Sequence, residues 1–297
     1  MSVAAAVTRA AAAIAPRLSF PVASGLGRGL GSLAWALDRR HREVALANLA
    51  LAFPGVSQSQ CQRLALDSFR QAGRNATEML WSPALDKTGL AQVATFEGRE
   101  HLDGALAAGN GVLLTTGHFG NWELMGVAMA LIGVPMNVIA RRVDDEGVEQ
   151  LLYRLRTRTG ARVIYKDDAV RSALRVLRDN QVVGVLIDQN TISPQASFVP
   201  FFGRLAATTR ISAQLHVRTG APIVMLFCVP RDEGYRFVFE PLDIEEGVAA
   251  ADDAVERLTA AATAQIERHI RSCPEAWLWI HDRWRSRPPE EQRAGEA

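Results

Sequence analysis

The sequence predicts an α/β fold, with a mostly parallel central sheet flanked by helices and a helical, membrane-associating extension at the N-terminus. Three observations carry that expectation. Short apolar runs rich in β-branched residues alternate along the chain with longer stretches of helical periodicity. The clearest of the runs, Gly111-Val112-Leu113-Leu114-Thr115-Thr116, is apolar on both faces, as a parallel strand covered by helices on either side must be. Ahead of it lies a nearly uncharged window, residues 18–37, in which Arg28 is the only charge.

The extension, residues 1–50, comes first. Its window holds Pro21 and the small-residue series Gly25, Gly27, Gly29 and Gly31, and it is marginal against the roughly 20 apolar residues that a spanning helix needs. Over the first 50 residues Arg9, Arg17, Arg28, Arg39, Arg40 and Arg42 face only Asp38 and Glu43. That excess suits anionic headgroups on the cytoplasmic face of the inner membrane. Gly27-x-x-x-Gly31 marks close helix packing. Two arrangements satisfy these facts: an anchor lying in or dipping through the membrane, and a helical hairpin buried against the next domain.

That domain, residues 51–285, reads as alternating strands and helices. After the strand at 111–116, Leu124, Val127, Ala128 and Leu131 recur at helical spacing. Residues 137–140, 161–165, 182–187, 223–227 and 236–239 read as strands, and 144–158, 167–179, 206–219 and 251–272 as helices, with Gly160 and Gly220 as C-terminal stops. Trp277, Trp279, His281, Arg283 and Trp284 alternate in strand fashion, fitting a final edge strand or a headgroup-level surface. Phe198, Phe201 and Phe202 around Pro200 line an acyl-chain tunnel or pack the core. Residues 286–297 form a polar, Pro-bearing tail.

Thr116-Gly117-His118-Phe119-Gly120-Asn121-Trp122-Glu123 carries the chemistry. It sets a histidine five residues before a carboxylate where a strand becomes a helix. Ligands of open α/β sheets bind at this edge, and a helix start supplies unpaired N–H groups there. Asn121 is the expected N-cap, which puts Glu123 in the first turn. A carboxylate on one ring nitrogen of His118 fixes the tautomer while the other nitrogen takes a proton from an alcohol, an arrangement that contributes about 100-fold to 10,000-fold in rate. Asp188, at another strand end, competes with Glu123 for that role, and capping of its own turn is the third possibility. Arg141 and Arg142, Lys166, and Gln189 also follow strands, so cations for a phosphate would gather at the same crevice.

Gly117-His118-Phe119-Gly120-Asn121-Trp122-Glu123 resembles the His-x4-Asp/Glu signature of the bacterial lipid A late acyltransferases, the lauroyl and myristoyl transferases, and of their glycolipid-acylating relatives. Asn48-Leu49 with Phe53-Pro54, Asp188-Gln189, Pro200-Phe201-Phe202-Gly203 and Pro274-Glu275-Ala276-Trp277-Leu278-Trp279-Ile280-His281 match that family's blocks in order, over residues 39–285. The resemblance implies a glycerolipid-acyltransferase-like fold. It also implies transfer of a fatty acyl group from acyl carrier protein, or from coenzyme A, to a hydroxyl of a lipid A precursor at the inner membrane. His118 would be the base, Glu123 or Asp188 its partner, and backbone N–H groups after Gly120 the oxyanion donors. Arg156 resembles an arginine that the family carries ahead of its Arg-x3-Gly turn, a ligand for phosphate or carboxylate. Its alternative is a solvated helix face shared with Arg154 and Arg158. Other acceptors, such as a phosphatidylinositol mannoside or an amino lipid, and an inactive lipid-binding protein are the alternatives. Glycerophosphate acyltransferases usually carry Asn before this histidine; Gly117 disfavours a lysophosphatidate enzyme.

Composition narrows the choice. A formal net charge of +1 suggests no polyanion-binding surface, hence no nucleic acid partner. Lys87 and Lys166 are the only lysines among 33 basic residues, a bias that follows from genome composition or from bidentate phosphate contacts. Cys61, Cys228 and Cys273 form no metal or redox pattern and fit a reducing compartment. His-Glu-x-x-His and Gly-x-Ser-x-Gly are absent, so the sequence offers neither a zinc route nor a serine nucleophile, and no cofactor beyond the acyl thioester is expected.

Overall fold

The computed structural model describes residues 2–165, 168–191, 196–244, 247–248, 251–288 and 291. Four helices lead: α1 (Val3–Ile14), α2 (Phe20–Leu37), α3 (Arg39–Ala52) and α4 (Gln58–Trp81). Their starts are written locally. Asp38 accepts the His41 N–H to begin α3, and Ser57 with Gln60 forms a reciprocal capping box for α4. There follow α5 (Lys87–Val93), β1 (Ala94–Glu97), α6 (Arg99–Ala107), β2 (Val112–Thr116), α7 (Trp122–Leu131), β3 (Met136–Ala140), α8 (Glu146–Thr157), β4 (Arg162–Tyr165), α9 (Ala169–Arg178) and β5 (Val182–Leu186). The chain continues through β6 (Ala196–Phe201), β7 (Arg204–Thr209), α10 (Ile211–Thr219), β8 (Ile223–Pro230), β9 (Tyr235–Pro241) and α11 (Ala254–Ser272).

Seven strands form the central sheet in the order β1-β9-β8-β2-β5-β3-β4, parallel throughout except where β8 meets β9. Period-two alternation gives each strand two apolar faces. Leu113, Met225 and Phe227 join one core, with α9 and α11 on that side; Val112, Leu114, Val224 and Leu226 join the other, against α7. The expected mostly parallel α/β sheet is therefore present. β2 lies at its centre between β5 and β8, so the ends of β2 and β5 open side by side on one edge.

Two expectations change. The helix read at 206–219 begins only at Ile211, because 204–209 forms the second arm of a hairpin with β6. Phe202 and Gly203, at φ +52° and +74°, make a two-residue turn of the primed kind that matches strand twist, and β-branched Thr208 and Thr209 favour the extended arm. The alternating tryptophans form neither an edge strand nor a surface. After a 3-10 turn at Pro274–Ala276, Trp277, Trp279 and Trp284 are buried, and Trp277 pairs with Phe119 in a single bridge. Phe201 and Phe202 pack on them and on Phe53, with ring centroids of Phe53–Phe202 5.3 Å apart and of Phe201–Trp277 5.5 Å apart. These two phenylalanines are core. Lys166 lies outside the described residues, as does Asp167 at the start of the helix read from 167.

Gly27 and Gly31 pack as their spacing suggests, against α4, whereas a Cβ on Gly25 or Gly29 would meet nothing within 4 Å. A Cβ on Gly27 would stand 2.2 Å from Thr77 Oγ1, and one on Gly31 2.2 Å from the Phe69 carbonyl oxygen. The opposite side of α2 presents Val22, Leu26, Leu30, Leu33 and Leu37, each about half exposed or more. Among the described residues no helix is long and apolar enough to cross a membrane. Gly31→Val should push α2 off α4 and cost about 1–3 kcal/mol of stability, read as a lower urea midpoint by tryptophan fluorescence. An unchanged midpoint would contradict the contact.

Candidate active site

β2 ends at Thr116, and the next two residues deliver His118 to the sheet edge. β5 ends beside it, with the Ile187 N–H still bonded to the Thr116 carbonyl at 3.0 Å, which sets Asp188 against the histidine. The His118 N–H donates to Asp188 Oδ2 at 2.7 Å, and the ring Nδ1 pairs with Asp188 Oδ1 at 2.7 Å. Trp277 Nε1 donates to Oδ2 at 2.6 Å. A Cβ at position 117 would lie 3.0 Å from the Asp188 carboxyl carbon, so glycine is what lets the carboxylate come this close.

Asp188 is only 2% exposed. Burial pushes its carboxyl up, but the attraction of the His118 ring and the three hydrogen bonds outweigh this and hold it down at about 2. The side chain of His118 is 18% exposed, and no described group bonds its Nε2. One ring nitrogen is thus fixed and the other is available, the arrangement of an oriented base. The Trp122 ring stands edge-on to the imidazole, centroids 5.0 Å apart.

Gly120, at φ +60°, turns the chain into α7, and a Cβ there would meet the Cys228 carbonyl oxygen at 1.6 Å. Asn121 is the N-cap, as read from the sequence, accepting the Leu124 N–H at 2.9 Å. Among the described residues no acceptor takes the N–H groups of Trp122 and Glu123. Glu123 does lie in the first turn, but its carboxylate goes to α8 rather than to His118. Arg156 Nε donates to Oε2 at 2.9 Å and Arg156 Nη2 to Oε1 at 2.5 Å. The orienting hydrogen bond to Nδ1 belongs to Asp188. Burial works against the Arg156 charge, and Glu123 overcomes it, so the guanidinium is raised above its ordinary value. The solvated helix face, the alternative for Arg156, is therefore not where it lies.

A second polar group lies near the pair, with Glu149 adding to the field that raises Arg156. Glu149 accepts the Tyr165 hydroxyl at 2.8 Å and the Val143 N–H at 2.8 Å, and the Arg142 guanidinium lies 3.7 Å over the Tyr165 ring. Arg141 is exposed, with Asp144 at 3.9 Å, and Gln189 is half-buried beside Asp188. Strand-end placement therefore gathers His118, Asp188, Gln189, Arg141 and Arg142 on one edge. Among the described residues no three His, Cys, Asp or Glu side chains come together as metal ligands.

Three supports were not anticipated. His281, pulled down by burial against the opposing charge of Asp188, accepts the Asn190 N–H on Nε2 at 2.9 Å. Buried Arg283, lowered to about 10 by burial with Asp188 opposing, donates to the Ala207 carbonyl at 2.7 Å. Asn48 donates to the Trp279 and His281 carbonyls at 2.8 and 2.7 Å, tying α3 to the same segment. The sequence blocks around Asn48, Phe53, Pro200 and Pro274 are thus one assembly behind Asp188.

The profile of bacterial lipid A biosynthesis acyltransferases matches residues 4–286, nearly the whole chain. The chain belongs to that family. It is an acyltransferase, and both lipid A and phosphatidylinositol mannoside acyltransferases are among its relatives. It is 28% identical to the lipid A biosynthesis palmitoleoyltransferase of Escherichia coli K12 over 275 residues, covering 92% of this chain and 88% of the relative. With the lauroyltransferase of the same organism it shares 27% identity over 277 residues, 92% and 88% of the two chains. A phosphatidylinositol mannoside acyltransferase of Mycobacterium tuberculosis CDC 1551 is 28% identical over 234 residues, 76% of this chain and 72% of the relative.

Because the Asp188 carboxyl of the folded acyltransferase lies below its ordinary value of 3.8, it stabilises the fold fully above about pH 4 and loses that contribution as pH falls toward 2. Asp188→Asn should remove this dependence. The difference in denaturation midpoint between wild type and variant, followed from pH 5 to 2, should shrink; a constant difference would contradict the assignment.

Proposed function

We propose that this acyltransferase moves a fatty acyl group from an acyl carrier protein thioester to a hydroxyl of a lipid A precursor at the cytoplasmic face of the inner membrane. The observation that carries the reading is His118, with Nδ1 locked to a buried carboxylate and Nε2 unbonded. Nε2 takes the proton of the acceptor hydroxyl as its oxygen attacks the thioester carbonyl carbon. Asp188 holds the ring and balances its charge. The N–H groups of Trp122 and Glu123, which have no described acceptor, would bond the oxyanion, whose collapse breaks the C–S bond and returns the proton to the departing thiolate. No acyl-enzyme is required.

Arg141, Arg142, Arg156 and Gln189 are the proposed acceptor-binding residues. The Glu123 ion pair largely neutralises Arg156, so phosphate contact falls chiefly to Arg141 and Arg142, and the pair fixes the wall beside them. Coenzyme A is the alternative donor carrier. A phosphatidylinositol mannoside is the second acceptor, favoured by the equal identity to the mycobacterial relative; coverage of 92% against 76% puts lipid A first.

The exposed stripe of α2, with a groove of about 530 Å³ lined by Ile14, Leu18, Leu26, Leu30 and Leu33, supports a helix lying in the membrane interface rather than crossing it. Replacing Leu26, Leu30 and Leu33 together by Gln should weaken binding to anionic vesicles at least tenfold, measured by flotation. Undiminished binding would place the contact elsewhere.

The activity test incubates membranes holding wild type or His118→Ala with acyl carrier protein thioester and a tetra-acylated lipid A precursor, reading product mass. A new acyl ester that falls about 100-fold to 10,000-fold in the variant is expected. Product with a phosphatidylinositol mannoside instead would reassign the acceptor.

A further inference from the structure

α4 turns an unusual face toward the site. Gln71, Arg74, Asn75 and Glu78 recur at the spacing that gives a packed helix its apolar stripe, yet Arg74, Asn75 and Glu78 are buried. The Glu78 carboxylate is fully buried and accepts four hydrogen bonds. Ser24 Oγ at 2.6 Å and Arg74 Nε at 2.6 Å donate to Oε1, and the Tyr235 hydroxyl at 2.6 Å and Asn121 Nδ2 at 2.8 Å donate to Oε2. Arg74 also lies 4.5 Å over the Tyr235 ring. A buried ion pair is a poor source of net stability, since the desolvation of both charges offsets their attraction. What this one does is reach the catalytic loop.

We propose that Glu78 is a positioning residue that sets the loop between His118 and α7. Asn121 works in two directions: Oδ1 caps α7 through the Leu124 N–H, and Nδ2 is held by Glu78. One turn earlier on α4, Asn75 donates to the Gly120 carbonyl at 2.6 Å and is itself fixed by Gln71 at 2.6 Å. On the other side the Gly120 N–H bonds the Ala276 carbonyl at 2.9 Å, and the Leu278 N–H bonds the His118 carbonyl at 3.1 Å. The peptide after His118 is clamped between α4 and residues 276–278. Glu78 fixes the rotamer of Asn121, hence the direction of the first N–H groups of α7 relative to Nε2. Misplacement of such groups by about 1 Å costs up to about 100-fold in rate.

The inference rests on His118 being the base, and the test separates the two. Glu78→Gln turns an amide donor toward donors that were satisfied; Asn121→Ser keeps a capping oxygen and deletes only the Glu78 bond. Ser24→Ala removes a bond to the other carboxylate oxygen without touching the loop. Per folded protein, kcat should fall about 10- to 100-fold in the first two, with KM for the thioester changed less than about twofold, while Ser24→Ala keeps wild-type kcat. Hydrogen exchange of residues 117–124 should accelerate in the first two variants alone, with α11 unchanged. Should Glu78→Gln fail to fold, Asn121→Ser carries the same expectations. Unchanged kcat in Asn121→Ser, or an equal loss in Ser24→Ala, overturns the proposal. If wild type forms no product, the substrate reading fails, and exchange decides alone: no acceleration at 117–124 overturns the positioning role.

Discussion

Asp188 is the constraint around which the rest is arranged. A carboxylate 2% exposed is costly to keep ionised, and it stays so because His118 supplies two donors and Trp277 a third. Each donor in turn needs a place. His118 must follow β2 immediately, which the parallel β2–β5 pairing provides, and Gly117 must lack a side chain. Trp277 must be buried behind the sheet edge, which the aromatic packing of Phe53, Phe201, Phe202, Trp279 and Trp284 secures. The hairpin of β6 and β7 and the bonds of Asn48 and Arg283 are therefore supports for one charge.

The opposite side of the loop is held by polar rather than apolar contacts. α4 meets the loop through Glu78 and Asn75 and meets β9 through Tyr235 on Glu78, and it meets α2 through Gly73 against Gly27 and Gly31. The same helix thus touches the turn after His118 and α2, whose outer face is apolar. On the proposed reading, membrane contact and loop geometry would share one rigid element, α4, which would hold the base at a fixed height above the lipid surface.

Much of this was legible in the sequence. The apolar run of β2 and the helical spacing after Asn121 located His118 at a parallel strand end, and Gly27-x-x-x-Gly31 announced close packing. The partner of His118 stayed open between Glu123 and Asp188 because strand order is not written locally: 70 residues separate His118 from Asp188. The ion pair of Arg156 with Glu123 was not legible, because nothing in α8 alone reveals which carboxylate its guanidinium meets. Residues 206–209 were read as helix because Ala206 and Ala207 are good helix formers, whereas the Phe202–Gly203 turn makes them part of the second hairpin arm. The tryptophans after Pro274 alternate like a strand yet are core, since periodicity records which residues are apolar and not what covers them. Glu78 left a signal that went unread, a polar stripe at helical spacing through α4.

The central claim is that Asp188, and not Glu123, holds the histidine. The most direct measurement is the proton spectrum of the enzyme with labelled histidine, following the His118 Nδ1–H that a buried carboxylate shifts far downfield. A resonance that persists in Glu123→Gln and disappears in Asp188→Asn is the predicted result. Loss of the resonance in Glu123→Gln, or its survival in Asp188→Asn, would contradict the account.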